Sequence, residues 1–467
     1  MNHQLSFKAF CGQAIATLVA FGPSTVVLAH DGPDHRHAPR QVKPAEYYAP
    51  SPVPDRIILT WSGDPSTTQA VTWRTSADVE QGIAEIAVAD AGPYFPKKAR
   101  QVMATAETLK TDINEARFHS VEFTELSPKT KYAYRVGDGL NWSEWFHVTT
   151  ASDRPEPFSF IYFGDAQNDI RSLWSRVVRE AYSDAPKAAF MLHAGDLINK
   201  AEDDAEWGEW FGAGAWLNAM MPSVPIPGNH EQAKGANGER ARLSHHWRPQ
   251  FALPTNGPEG LEEACYTLEY QGVRIIGLDS NRRLDDQTMW LDKVLAANKC
   301  RWVVCTFHHP VFSTGKERDN KELREAWKPI LDRHKVDIVL QGHDHTYGRT
   351  GLETPKVPAQ TIGNVPTGLN ARDEKTGTVY VVSVSGPKQY DLQRHEFMKR
   401  QAQDTQLYQI IHIDGETLKY EARTAVGDVY DAFTLQKQNG SINKLIEQIP
   451  EVPERLRATG SKEQAVR

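Results

Sequence analysis

The stretch LQGHDHTYGR, Leu340 to Arg349, sets two histidines two residues apart directly behind an apolar run. That run, VDIVLQ, is apolar without alternation, the pattern of a strand buried on both faces. Chain that leaves such a strand arrives at the carboxyl edge of a sheet, where ligands collect in open α/β folds. His, Asp, His, Tyr and Arg then follow within a few residues. The rings of His343 and His345 are expected to project in opposite directions, so that each can serve a different metal ion. Asp344 then points elsewhere, as a supporting or solvent-facing group.

Four further apolar runs end in the same way. FSFIYF leads into GDAQ with Asp165, and AAFMLHA into GDLIN with Asp196. MPSVPI leads into PGNHE with Asn229 and His230, and WVVCTF into HHP with His308 and His309. The glycines let the chain turn sharply at these ends. One buried Asp or His is commonly structural, but five such ends in one region are a different matter. Two Asp, one Asn and three His make a mixed nitrogen and oxygen set suited to Zn, Mn or Fe. They exceed what one tetrahedral ion needs, so a pair of ions is the economical reading. The same groups crowded together without metal would repel one another and be costly to bury.

Helical stretches lie between several of these runs: SLWSRVVREAY, DDQTMWLDKVLAAN and NKELREAWKPILDRH. The alternation predicts, over residues 155–436, an α/β sandwich of two mixed sheets flanked by helices. GTVYVVSVSG, LYQIIHIDGETLKYEARTA and DVYDAFTLQ read as antiparallel strands completing a sheet. SINKLIEQIPEVPERLRATG reads as a last helix within a terminal segment, 437–467. Residues 53–150 differ. RIILTW, QAVTWRT, IAEIAV, FHSVEFTEL, YAYRVG and EWFHVTT are short alternating runs broken by turns, which suits an all-β sandwich. Within LSPKTKYAYRV, Leu126 faces the core, Pro128 shapes a corner, and Tyr132 or Tyr134 locks it through a hydroxyl bond to backbone. Trp73 is the expected central aromatic.

A chain of 467 residues is long enough for two or three domains. With 40% hydrophobic and 24% charged residues it supports a packed core. A net charge of -7 argues against neutralising nucleic-acid phosphates, so no specific nucleic-acid binding is expected. Residues 1–29 read as an export signal: polar MNHQLSFK, an apolar stretch, then Val27, Leu28 and Ala29 before a cleavage point. Gly22 and Pro23 interrupt the apolar stretch, which counts against a membrane anchor, and no later run is long enough to span a bilayer. A secreted or periplasmic location is expected. Residues 30–52 read as a flexible linker, with His30, His35 and His37 in a solvated tail rather than a metal site. Cys265, Cys300 and Cys305 allow at most one disulfide, and the lack of a Cys-x-x-Cys pair counts against a thiolate zinc site.

The ordered blocks GD, GDL, GNHE, HHP and GHDH resemble the calcineurin-like metallophosphoesterase superfamily. With an N-terminal sandwich resembling fibronectin type III, the chain from about Pro54 to Gln436 is similar to purple acid phosphatases. The resemblance implies that Asp165, Asp196 and His345 hold one metal ion. Asp196 bridges to a second, held also by Asn229, His308 and His343. His230 is then not a ligand; it faces the substrate and assists the leaving group or steadies the phosphoryl. The implied activity is a phosphohydrolase acting on a small-molecule phosphate ester. A phosphomonoesterase comes first and a phosphodiesterase or nucleotide-cleaving enzyme second. A metal-bridging hydroxide would attack phosphorus in line. The metal pair, drawn from Fe, Mn or Zn, and the oligomeric state stay open.

The chain departs from this family in places. The family's Tyr three residues after the bridging Asp, which gives the purple colour, is Asn199 here, so a colourless enzyme is expected. Gln167 stands where many relatives place a ligating His. VFSTGKERDN carries none of the histidines that plant-type members place after the HxP block, leaving more leaving-group work to His230. His309 should point away from the metals. Arg349 serves either a substrate phosphate or a structural ion pair, and the Trp-rich EWGEWFGAGAW either packs the core or lines a pocket. His245 and His246 read as non-ligands. A binding protein with a relic site is the alternative of another class; the presence of all six ligands and His230 argues against it.

Overall fold

Alternation alone folds the first domain, because every second side chain must find an apolar neighbour across the sandwich. The computed structural model describes residues 41–235, 237, 240–355, 361–362, 365–366 and 377–457. One antiparallel sheet runs Asp55–Thr60, Gln69–Ser76, Glu115–Phe123, Thr105–Lys110; the other runs Arg100–Met103, Ile83–Val88, Lys131–Gly137, Phe146–Thr149. Arg100–Met103 and Thr105–Lys110 are absent from the six strands read in the sequence. Both are edge strands with largely exposed residues, so no apolar alternation marks them. Trp73 is fully buried between the sheets, and the corner is locked by Tyr132, whose hydroxyl accepts the Ser127 N–H at 2.8 Å. Tyr134 instead donates to the carbonyl of Ala219, at 2.6 Å, tying the sandwich to the next domain. Arg56 reinforces that tie through buried Asp204, at 2.6 Å.

The second domain holds two mixed seven-stranded sheets. In the first, Ser223–Pro225, Met191–His193 and Phe158–Phe163 run parallel; Leu407–Asp414, Thr417–Thr424, Val429–Gln436 and Lys444–Glu447 continue it antiparallel. In the second, Val273–Gly277, Trp302–Thr306, Ile338–Gln341 and Val379–Val382 run parallel, with Tyr266–Tyr270 on one side and Tyr347–Thr350 and Met398–Ala402 on the other. Phe160, Tyr162, Ile411, Leu340 and Val381 share one core, so the sheets face each other. Leu291, Leu295, Trp327 and Ile330, from helices Leu284–Ala296 and Lys321–Arg333, cover the outer face of the second sheet. The parallel strands bring their carboxyl ends to a common edge.

Three expectations need correction. Val379–Val382 is antiparallel only to Tyr347–Thr350; on its other side it pairs parallel to Ile338–Gln341. The terminal segment forms no helix among its described residues: Lys444–Glu447 is an edge strand on Val429–Gln436. Pro450 and Pro453 then remove donors and restrict the residues before them, which bars a helix. In the linker, Pro44–Tyr47 is a short helix, and Tyr48 is held by Arg74, which donates to its carbonyl at 3.1 Å. The export signal and the linker histidines His30, His35 and His37 lie outside the described residues. Among the described residues no helix is long and apolar enough to cross a membrane.

Candidate active site

Five strand ends deliver their polar side chains to one place. Donor atoms of Asp196, His308 and His343 lie within 4.8 Å of one another, and so do those of Asp165, Asp196 and His345. Asp196 belongs to both groups. Asn229 joins the first through its Oδ1, 3.2 Å from His308 Nε2. All six sequence-predicted ligands therefore converge.

The backbone that presents them is unusual. Asp196, His343 and His345 have φ of 52°, 76° and 49°, in the left-handed region. Each such non-glycine residue costs about 1–3 kcal/mol and persists only where surrounding structure enforces it. In an extended strand His343 and His345, two residues apart, would share a face; the tight left-handed loop instead divides them between the two groups. Buried Glu231 enforces the Asp196 turn, accepting N–H groups from Asp196 and Leu197 at 2.8 Å each and from Gly228 at 2.7 Å. The His343 N–H donates to Asp165 at 2.6 Å. A Cβ on Gly228 would sit 2.2 Å from Asp196 Oδ1, which accounts for the glycine of GNHE.

The rings are aimed by their outer nitrogens. His308 Nδ1 donates to the carbonyl of Ala194, and His345 Nδ1 to that of Lys388, each at 2.9 Å, so both Nε2 atoms face inward. His343 uses its other edge, with Nδ1 3.1 Å from His308 Nε2. Burial pushes the Asp165 carboxyl well above the usual range. At Asp196 burial acts in the same sense, but His308 beside it holds the carboxyl well below. Burial opposes charge on His308 too, yet Asp196 and Asp165 carry its imidazole up to about 9. The Oδ1 of Asp165 and the Oε1 of Gln167 are buried without a hydrogen-bond partner among the described residues. Orphaned oxygens beside converging imidazoles and carboxylates fit a pair of cations of the Zn, Mn or Fe type.

His230 lies at the rim. Its N–H donates to Asp196 Oδ1 at 2.9 Å, and its Nδ1 donates to the carbonyl of Asn199 at 2.5 Å. Its Nε2 is 3.9 Å from Asp196 Oδ2, with the side chain 26% exposed. Gln167 is not idle: its Nε2 lies 2.9 Å from both Asp196 Oδ2 and His345 Nε2. His309 does not point away. Its ring packs 4.2 Å from that of His343, and its Nδ1 is 2.8 Å from Ser280 Oγ, because HHP leaves the strand in a bend that keeps adjacent rings together.

The open alternatives resolve. Arg349 is fully buried and bidentate to Asp431, at 2.9 Å for each bond, so it is a structural ion pair. Trp207 and Trp210 are core residues, while Trp216 is exposed. His246 is buried beside Glu202 and Asp204, and His245 is exposed; neither joins a ligand group. Cys265, Cys300 and Cys305 are free thiols. Sequence reasoning missed Glu231, although it stands in GNHE, and Arg318, because no local pattern in VFSTGKERDN marks its reach to His343. Asp344 is fully buried rather than solvent-facing.

Residues 54–150 match the family model of the purple acid phosphatase N-terminal domain, and residues 158–347 that of the calcineurin-like phosphoesterases. The chain belongs to the calcineurin-like phosphoesterases that carry a purple acid phosphatase N-terminal domain, and it is a phosphoester hydrolase. An uncharacterized protein of Mycobacterium tuberculosis is 26% identical over 380 residues, 71% of this chain and 69% of that one. Acid phosphatase type 7 of Mus musculus is 25% identical over 337 residues, 66% of this chain and 73% of that one. Among solved structures, a purple acid phosphatase from yellow lupin (Lupinus luteus) seeds superposes with a TM-score of 0.67 at 17% identity, over 84% of this chain and 76% of that one. PhoD superposes at 0.60 with 13% identity, over 90% and 95%. Both structural likenesses concern the fold.

Proposed function

We propose that this chain is an exported phosphomonoesterase of the acid phosphatase type that works with two metal ions. Asp165, Asp196 and His345 would hold one ion; Asp196, Asn229, His308 and His343 would hold the other. The observation that carries this reading is the place of Asp196 in both donor groups. Bound there, the ions would supply positive charge to phosphate oxygens and make water nucleophilic near neutral pH.

The chain's own residues do the rest. The Asn199 carbonyl fixes the His230 ring by its Nδ1–H, which leaves Nε2 to meet the ester oxygen and return a proton to the leaving group. Gln167 braces Asp196 and His345 against each other. Glu231 holds the strained Asp196 turn, so the shared carboxylate is already in place before substrate arrives. The acid phosphatase names of several relatives support the monoester reading. Export rests on the pattern of residues 1–29 and is tested by fractionating the producing cells.

The test is reconstitution of metal-free protein with Mn, Zn or Fe, followed by elemental assay and turnover of p-nitrophenyl phosphate. Two ions per chain and metal-dependent hydrolysis are expected. Failure to bind ions, or absence of hydrolysis once they are bound, overturns the proposal.

A further inference from the structure

The loop of residues 311–320, behind the HHP block, brings a fixed cation to the ligand groups. One Nη of Arg318 contacts Nε2 of His343, the ring whose Nδ1 faces His308. Its Nε pairs with Asp344 at 3.0 Å, and the guanidinium lies 5.1 Å from the centroid of Tyr390. Tyr390 in turn packs on His345, with centroids 4.5 Å apart. Arg318 thus spans the edge of both groups. Its side chain is 28% exposed.

The placement is built into the fold. Asp344 stands between the two ligand histidines and is fully buried. It accepts the N–H groups of Thr314, at 2.6 Å, and Gly315, at 3.1 Å, while pairing with Arg318. One carboxylate therefore fixes the loop, the guanidinium and the histidine turn together. Gly315 makes room for the arginine stem: a Cβ there would lie 2.6 Å from Arg318 Cδ. Lys316 N–H anchors the loop to the carbonyl of Asp391 at 2.8 Å. Arg349 is what a purely structural arginine looks like here, with no exposure and a two-pronged carboxylate. Arg318 gives its carboxylate one nitrogen and a second to His343, and keeps its side chain partly exposed.

We propose that Arg318 is a specificity-determining residue that binds a non-bridging oxygen of the substrate phosphate and selects monoesters over diesters. This rests on the phosphohydrolase reading of the same site. A monoester carries close to two negative charges near neutral pH and a diester only one, so a fixed cation favours the monoester. The second ester group of a diester also replaces one of the oxygens that a guanidinium can bind.

The experiment compares metal-loaded wild type, Arg318→Gln, Arg318→Lys and Gly315→Ala. It measures kcat/KM for p-nitrophenyl phosphate and for bis(p-nitrophenyl) phosphate, inorganic phosphate affinity by calorimetry, and bound metal. Arg318→Gln should lower kcat/KM for the monoester about 10–100-fold, the scale of a charge-assisted bond, and that for the diester less than about 3-fold. Phosphate should bind more weakly, with metal content unchanged. Arg318→Lys should recover part of the loss, and Gly315→Ala should reproduce it. An equal fall for both esters, an unchanged ratio, or loss of metal would overturn the proposal. Should wild type cleave neither ester, the hydrolase reading fails by itself; equal phosphate affinity in wild type and Arg318→Gln then overturns the arginine's role separately.

Discussion

Replacing His193 with phenylalanine should stabilise the protein, and more so in acid. His193 ends the strand Met191–His193 and is 1% exposed. Its ring stacks on Phe163 at 5.5 Å and meets Trp210 at 5.3 Å. Neither ring nitrogen has a hydrogen-bond partner among the described residues. An unsatisfied buried polar group costs about 1–3 kcal/mol. Phenylalanine keeps the flat ring and removes that cost; its slightly larger volume takes some back, leaving a gain of about 1–2 kcal/mol at pH 8. A second term grows with acidity. Burial lowers this imidazole to about 3, whereas a histidine in the unfolded chain titrates near ~6.5. Between those values the unfolded chain binds a proton that the folded one refuses, so stability falls as pH falls, by about 1.4 kcal/mol per unit. At pH 5 the loss is about 2 kcal/mol, and His193→Phe escapes it. An unfolding entropy of about 2 cal/mol/K per residue makes a degree of Tm worth about 1 kcal/mol in a chain of this length. With metal content held equal, calorimetry should therefore place the variant about 1–2 °C above wild type at pH 8 and about 3–4 °C above it at pH 5. A gap that does not widen in acid, or a lower Tm at pH 8, would refute the buried neutral imidazole.

Asp196→Asn should lose both ions in elemental assay, since the shared carboxylate serves both groups. His230→Ala should keep both ions and lose about 10²–10⁴-fold in turnover, the scale of an acid–base group; metal loss in that variant would contradict its non-ligand role. Arg349→Met should destabilise by about 3–5 kcal/mol, because Asp431 is left buried without its partner. The folded fraction of Arg349→Met should keep wild-type KM, and a raised KM would restore a substrate role. Iron-loaded wild type should show no visible charge-transfer band, because Asn199 replaces the tyrosine; a purple product would sink that expectation.

Five strand ends and the polar residues gathered there were legible in the sequence because each buried parallel strand is a continuous apolar run, and the polar residues just past it must lie at the sheet edge. Asp165, Asp196, Asn229, His308 and His343 follow that rule, and His345 comes two residues after His343. The sandwich strands were legible where alternation was strong, and illegible at Arg100–Met103 and Thr105–Lys110, whose residues face water. The terminal helix failed because local periodicity in SINKLIEQI competed with an open sheet edge, and pairing with Val429–Gln436 won. What only the tertiary structure decided was direction: left-handed backbone at His343 and His345, the turn of His309 onto its neighbour, and the choice of Asp431 by Arg349. Above all it decided that Asp344 reaches Arg318 across the loop from Gly315. The physical reason is that a strand's burial is written in its own side chains, whereas the aim of a polar group depends on acceptors supplied from distant parts of the chain.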